Sequence, residues 1–145
     1  MGDGRSRVPA STYAGNHILD LLLRGVAFAA PARVWISLHT ADPGVTGAAE
    51  VLNADWPAYG RRDPAQGGAV GGGFAAAVGK ATESAQQMLY AAHNGTGPIV
   101  ITHFGIWDAP AAGNLLVYGS LTAAKTILPT DEVVIRAGEL DVTVT

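Results

Sequence analysis

The sequence predicts a mainly β fold, an antiparallel β-sandwich or jelly-roll-like domain with one N-terminal α-helix. Three observations lead there. Short runs after residue 32 alternate apolar and polar residues at period two. A single segment near the N-terminus has helical spacing instead. The chain also lacks the regular exchange of helix and strand that a parallel α/β sheet requires. At 145 residues it fits one domain, and a domain of that size buries about 68–70% of the surface its unfolded chain exposes. A core can therefore form without staples, as it must in a chain with no cysteine for disulfides or thiolate metal sites.

Residues 1–10 are polar and Gly-rich and read as an N-terminal arm. Residues 11–145 read as a single β-rich domain with a Gly-rich insertion at about 53–80. Ser11 or Thr12 can cap a helix over Tyr13 to Leu23, in which Ala14, Ile18, Leu21 and Leu22 recur at helical spacing and Gly25 ends the run. The period then changes to two. Val34, Ile36 and Leu38 share one face of a strand over 33–39, with Arg33, Trp35, Ser37 and His39 on the other. Asp42-Pro43-Gly44 stops it with tight-turn chemistry.

Between 45 and 80 no spacing persists, and six glycines from Gly67 to Gly79 stand among alanines. Ordering such a segment costs about 1–2 kcal/mol per residue in backbone entropy and offers little apolar area in return. The expectation is that contacts with other chains order residues 1–10 and 60–79. A short strand follows within 86–91, then a turn at Asn94-Gly95 and Gly97-Pro98. Two β-rich runs, 99–108 and 115–121, form a hairpin whose apolar faces suggest central strands. Glu132 to Arg136 and Leu140 to Val144 complete about six to eight strands.

The net charge of −3 argues against a general nucleic-acid binder, and no apolar run is long enough to span a membrane. The chain reads as soluble and unprocessed. Charged residues make up 14% of it, against about 25% in ordinary domains. Two explanations stay open: a genome that favours Ala and Gly, or a surface covered by other chains.

Motifs of catalysis are wanting. The stretch GFAAAVGKAT over 73–82 fails as a phosphate loop, because its glycines are one residue too far apart and Ala81 stands where a magnesium-binding hydroxyl belongs. Met1-Gly2 with Ser6 and Asn94-Gly95-Thr96 match lipidation and glycosylation patterns only formally. His17, His39, His93 and His103 form no metal-ligand pair of recognised spacing, and no serine sits in a nucleophile elbow. No cofactor and no metal is expected.

Three stretches, WISLHTADPG (35–44), ITHFGIWD (101–108) and NLLVYGSLTAAK (114–125), together with the C-terminal AGELDVTV, resemble a family of small tailed-bacteriophage virion proteins usually labelled tail-fibre proteins. Residues 53–72 depart from that family's Tyr-Arg segment, here Tyr59-Gly60-Arg61, by being longer and richer in Pro and Gly. The resemblance implies a non-enzymatic structural protein of the virion, assembled in the bacterial host cytoplasm. Its place would be the tail, the tail tip, a fibre or the capsid surface as decoration.

Its partners would be copies of itself and other virion proteins, met through subunit interfaces. The interface candidates are Arg5 and Arg7 in the arm, Trp56 and Tyr59 as exposed aromatics, the pair Arg61 and Arg62, and Gly71, Gly72, Gly73 and Phe74 in the insertion. An alternative is a receptor-binding module that stacks Trp56, Tyr59 or Trp107 on a host-surface saccharide. A hydrolase using His39 and Asp42 comes last.

Overall fold

The computed structural model describes residues 8–144. It is a mainly β domain with one helix, α1 (Thr12–Arg24). Its strands are β1 (Trp35–His39), β2 (Ala81–Glu83), β3 (Met88–Leu89), β4 (Ile99–Trp107), β5 (Leu115–Ile127), β6 (Val134–Ile135) and β7 (Asp141–Thr143). All pairings between them are antiparallel. β1, β4 and β5 form a three-stranded sheet in that order, while β2 pairs with β7 and β3 with β6 as two short ribbons.

The helix starts where Ser11 supplies an acceptor for the Ala14 N–H, at 3.0 Å. It ends at Gly25, whose φ of 65° is the left-handed conformation that favours glycine. The same Ser11 hydroxyl donates to the Leu115 carbonyl, and the Ser11 N–H donates to Leu116 O at 2.8 Å. One residue thus caps the helix and pins it to the start of β5. Just before it, Ala10 bridges to Val117 and the Tyr118 N–H donates to Pro9 O. This part of the expected arm therefore lies along the chain's own sheet.

β4 is central, but β5 is an edge strand rather than the expected central one, and it runs six residues further than its predicted end. Between the pairs His103↔Ser120 and Ile101↔Lys125, residues 121–124 stand opposite Thr102 alone. Past that bulge the pairing with β4 resumes at Lys125, with residues 122–126 exposed and Ile127 returned to the core.

Two adjoining apolar clusters fill the interior. One gathers Leu38, Trp56, Tyr90, Ile101 and Val133, and the other Val8, Ile36, Met88, Phe104 and Leu140. The outer edge of β1 is closed by the chain itself: Ile36 and Arg62 exchange both backbone bonds, at 2.7 and 3.0 Å, and the Val51 N–H donates to Leu38 O.

The Gly-rich insertion is likewise held from within. Asp63 accepts from the backbone N–H groups of Ala65 and Gly67 and from Arg33. Gln66 donates to Gln87 O, and Gln86 donates to Gly72 O. Ala75 and Ala85 close a backbone ladder with Glu83 and Gly73. Residues 60–79, expected to be ordered by other chains, thus have bonding partners within their own chain. Side-chain amides and one carboxylate supply the contacts that glycines cannot make through side chains of their own. Residues 1–7 of the expected arm lie outside the described residues.

Candidate interaction surface

The most polar cluster near the sheet is interior. β1 places Ser37 and His39 on the face opposite Ile36 and Leu38, and the register sets Ser37 against Gly105. The missing side chain at Gly105 makes room: Trp107 Nε1–H donates to Ser37 Oγ at 2.7 Å. Ser37 Oγ lies 2.7 Å from His39 Nε2, and His39 Nδ1 lies 2.7 Å from the Ala48 carbonyl. Because that carbonyl only accepts, Nδ1 carries the hydrogen and Nε2 accepts from the serine hydroxyl. Burial holds the imidazole below its ordinary pKa, against the opposing pull of the Ala48 carbonyl.

Arg61 closes this cluster. Its guanidinium forks onto Glu50 through Nε and Nη2, at 2.9 and 2.7 Å, and Nη1 donates to the carbonyls of Ala109 and Ala112 in the β4–β5 loop. The same plane lies 3.8 Å from the centre of the Trp107 ring. Tyr59 completes the arrangement by donating to Glu50 and accepting the Leu38 N–H. Burial works to raise the Glu50 carboxyl pKa, but the bonds and charge of Arg61, helped by Tyr59, outweigh it and hold it below its usual value.

Ser37 beside His39 looks like a nucleophile and its base, yet both are 0% exposed and both imidazole nitrogens are engaged. Asp42 stays outside the cluster, its carboxylate accepting the Gly44 N–H in the turn. The pairing of His39 with Asp42 in a site is therefore corrected: the strand buries one and the turn exposes the other. Among the described residues, no group of three or more His, Asp or Glu could hold a metal ion.

The predicted contact residues scatter. Trp56 is 0% exposed, its Nε1–H bonded to Ala92 O, so its expected exposure is corrected. Pro57, Ala58 and Tyr59 turn the chain inward at that point, stacking Tyr59 parallel to Tyr90 and leaving it half-buried. Arg61 is buried, and Arg62 is half-buried over the Tyr90 ring. Gly73 is buried against Pro64, and Phe74 packs on the second apolar cluster. Gly71 and Gly72 are exposed, whereas Arg5 and Arg7 lie outside the described residues.

The surface feature that sequence reasoning missed is on α1. Ala14 is its one buried residue, and Leu22 and Leu23 are 73% and 77% exposed. Leu19 and Val26 are exposed with them. A signal was available: Leu19, Leu21, Leu22 and Leu23 together make the apolar arc wider than the single stripe a surface helix needs. A separate cavity of about 300 Å³ opens beside β5, with Leu38, Ile101 and Phe104 in its lining and Lys125, Glu139 and Asp141 among its polar groups.

Against known families, the one described as Podophage GP4 fiber I protein gp80 matches residues 9–143. The chain belongs to this family. No curated protein matches it. As a fibre-family protein it is a phage tail-fibre structural component, associated with the virion and its other proteins. Three of the stretches that carry the sequence resemblance meet in the β1-β4-β5 sheet, while AGELDVTV forms β7 in the ribbon with β2. WISLHTADPG forms β1 and the turn after it, ITHFGIWD ends in Trp107 and Asp108, and Asn114 closes the hairpin by donating twice to the Asp108 carboxylate. Ser37, His39 and Trp107 from these stretches build the interior cluster beside Arg61 in this fibre protein.

Proposed function

We propose that this fibre-family chain is a non-catalytic building element of the virion, and that it works by burying apolar surface against copies of itself and neighbouring virion proteins. One observation carries the reading: Ser37, His39, Glu50 and Arg61 engage their polar atoms inside the chain, while large apolar side chains stand bare on α1. A protein built for chemistry needs the reverse, with reactive groups open to a substrate and apolar groups within.

A saccharide-stacking role has less support. Trp56 and Trp107 are buried, and the Tyr59 hydroxyl is committed to Glu50 and Leu38. The test is a reconstruction of the intact particle together with a glycan array on the isolated chain. The expected result is α1 in contact with another polypeptide and no saccharide retained. Reproducible retention of one saccharide class, with α1 facing solvent in the particle, overturns the proposal.

A further inference from the structure

The helix α1 carries two apolar lines, and of these the fold buries Ala14 alone, leaving Ile18 and Leu21 45% and 44% exposed. Ala14, Ile18 and Leu21 follow each other at i, i+4 and i+7, beginning at the buried Ala14 where the helix meets β5. Leu19, Leu22 and Leu23 lie about 100° further round, at i, i+3 and i+4, and Val26 beyond the cap continues the spacing. These four are 57%, 73%, 77% and 44% exposed.

The segment that could fold over them goes elsewhere. Phe28 returns to the polar side of the helix and stacks on His17 at 4.5 Å, with Tyr13 edge-on to both rings. The helix's own charges are paired as well, since Arg24 meets Asp20 one turn earlier at 2.9 Å. What is left is an uncharged stripe the width of one helix contact.

We infer that this stripe is a self-association surface, in which α1 of one copy packs against α1 of a second copy through Leu19, Leu22 and Leu23. The inference rests on the building-element reading above and names its partner. An uncharged helix stripe is complementary to itself, which suits the two-fold contacts that dominate homo-oligomers. Its area also decides what the contact can do. With Ile18 and Leu21 at its margin, the patch offers on the order of 400–600 Å² per copy, the range of the largest patches on monomers. A pair then buries roughly 800–1,200 Å², at the foot of the range for specific interfaces. Such a contact is weak between free chains and becomes effective when an assembly holds the copies together.

The test is sedimentation of the full chain from about 1 to 300 µM, a range suited to weak pairs. Wild type is expected to rise in average mass by about 1.5-fold or more across it. Leu22→Glu and Leu23→Glu should stay monomeric with unchanged melting, while Val78→Glu, at a position 79% exposed away from the helix, should behave as wild type. The chain has no cysteine. Leu22→Cys should therefore give a covalent dimer under air oxidation if the two stripes meet, because a disulfide needs Cβ atoms about 3.5–4.5 Å apart.

A constant monomer mass for wild type overturns the inference, as does undiminished association of Leu22→Glu. A lowered melting temperature of dilute Leu22→Glu also overturns it, since the chain itself would then cover the stripe. If wild type is monomeric but Leu22→Glu is lost from particles, the partner is another virion protein. In that case the second-copy claim fails while the building-element reading stands.

Discussion

Arg61 is where several distant parts of the chain meet. Its guanidinium reaches Glu50 before it in sequence, the hairpin loop carbonyls of Ala109 and Ala112, and the face of Trp107. Removing it leaves two carbonyls without their donor and a partly buried carboxylate with Tyr59 as its remaining partner, and breaking buried pairs in this way costs about 3–5 kcal/mol. Arg61→Ala should lose stability of that order in urea unfolding. Arg61→Lys should recover little, because an ammonium can neither fork onto a carboxylate nor stack flat on an indole. The turn over Trp107 is equally tight. A Cβ on Gly47 would stand 2.3 Å from the indole, at a φ of 82° that already favours glycine, so Gly47→Ala should destabilise by roughly 1–3 kcal/mol.

The same residues set the response to acid. The folded pKa of His39 lies below its ordinary 6.5, so the unfolded chain takes up the proton first as the pH falls. Its contribution is therefore complete above 6.5 and declines on acidification toward the folded value. Glu50 is also depressed, so its contribution is complete above 4.5 and is lost as the pH falls through its folded pKa. Denaturant midpoints should thus fall in two stages from neutral pH downward. His39→Asn should remove the upper stage and leave the lower one. A midpoint that stays flat between about pH 7 and about pH 5, the span over which an ordinary histidine titrates, would contradict the assignment.

At the scale of the element, Ser11 joins two structures. Ser11→Ala should cost about 1–2 kcal/mol through the lost cap, and Ser11→Asp should keep the cap but not the bond donated to Leu115 O. A Ser11→Asp variant less stable than wild type would separate the two roles in thermal melts. The helix limits were legible because capping is local chemistry: Ser11 and Gly25 identify themselves by residue type. The strands over 35–39 and 99–107 were legible for a similar reason, since period two and β-branched content act over a few residues.

Burial was less legible, because it depends on what the rest of the chain brings. Trp56 reads as exposed beside Pro57, yet Asn94 and Ala92, far along the chain, receive that turn. Leu22 recurs at the spacing of a packed helix face, yet it stands 73% exposed, because on α1 the domain covers Ala14 alone. The position of β5 at a sheet edge was hidden for the same reason. Apolar content marks a strand as one that will be covered, but not by which element.

At the scale of the whole molecule, the low proportion of charge and the glycine-rich insertion pose one question, whether this chain is ordered by itself. For residues 60–79 the bonds answer within the chain. Arg62 is laddered to Ile36 through both its N–H and its C=O, Asp63 caps the turn to Gly67, and Ala75 pairs with Glu83. Pro64 and Ala65 are buried between those points. The exposed stretch 66–72 is then a short loop fastened at both ends, and closing a short loop costs far less than ordering the whole insertion would. Hydrogen exchange on the isolated chain should therefore be graded. The Arg62 and Ala75 amides should be protected to the level of the sheet, those of Gly68 and Gly72 weakly, and Gly71 least. Uniformly fast exchange from 60 to 79 in the isolated chain, slowed only in the particle, would mean that neighbours do supply the order and that the Arg62, Asp63 and Ala75 bonds form on assembly.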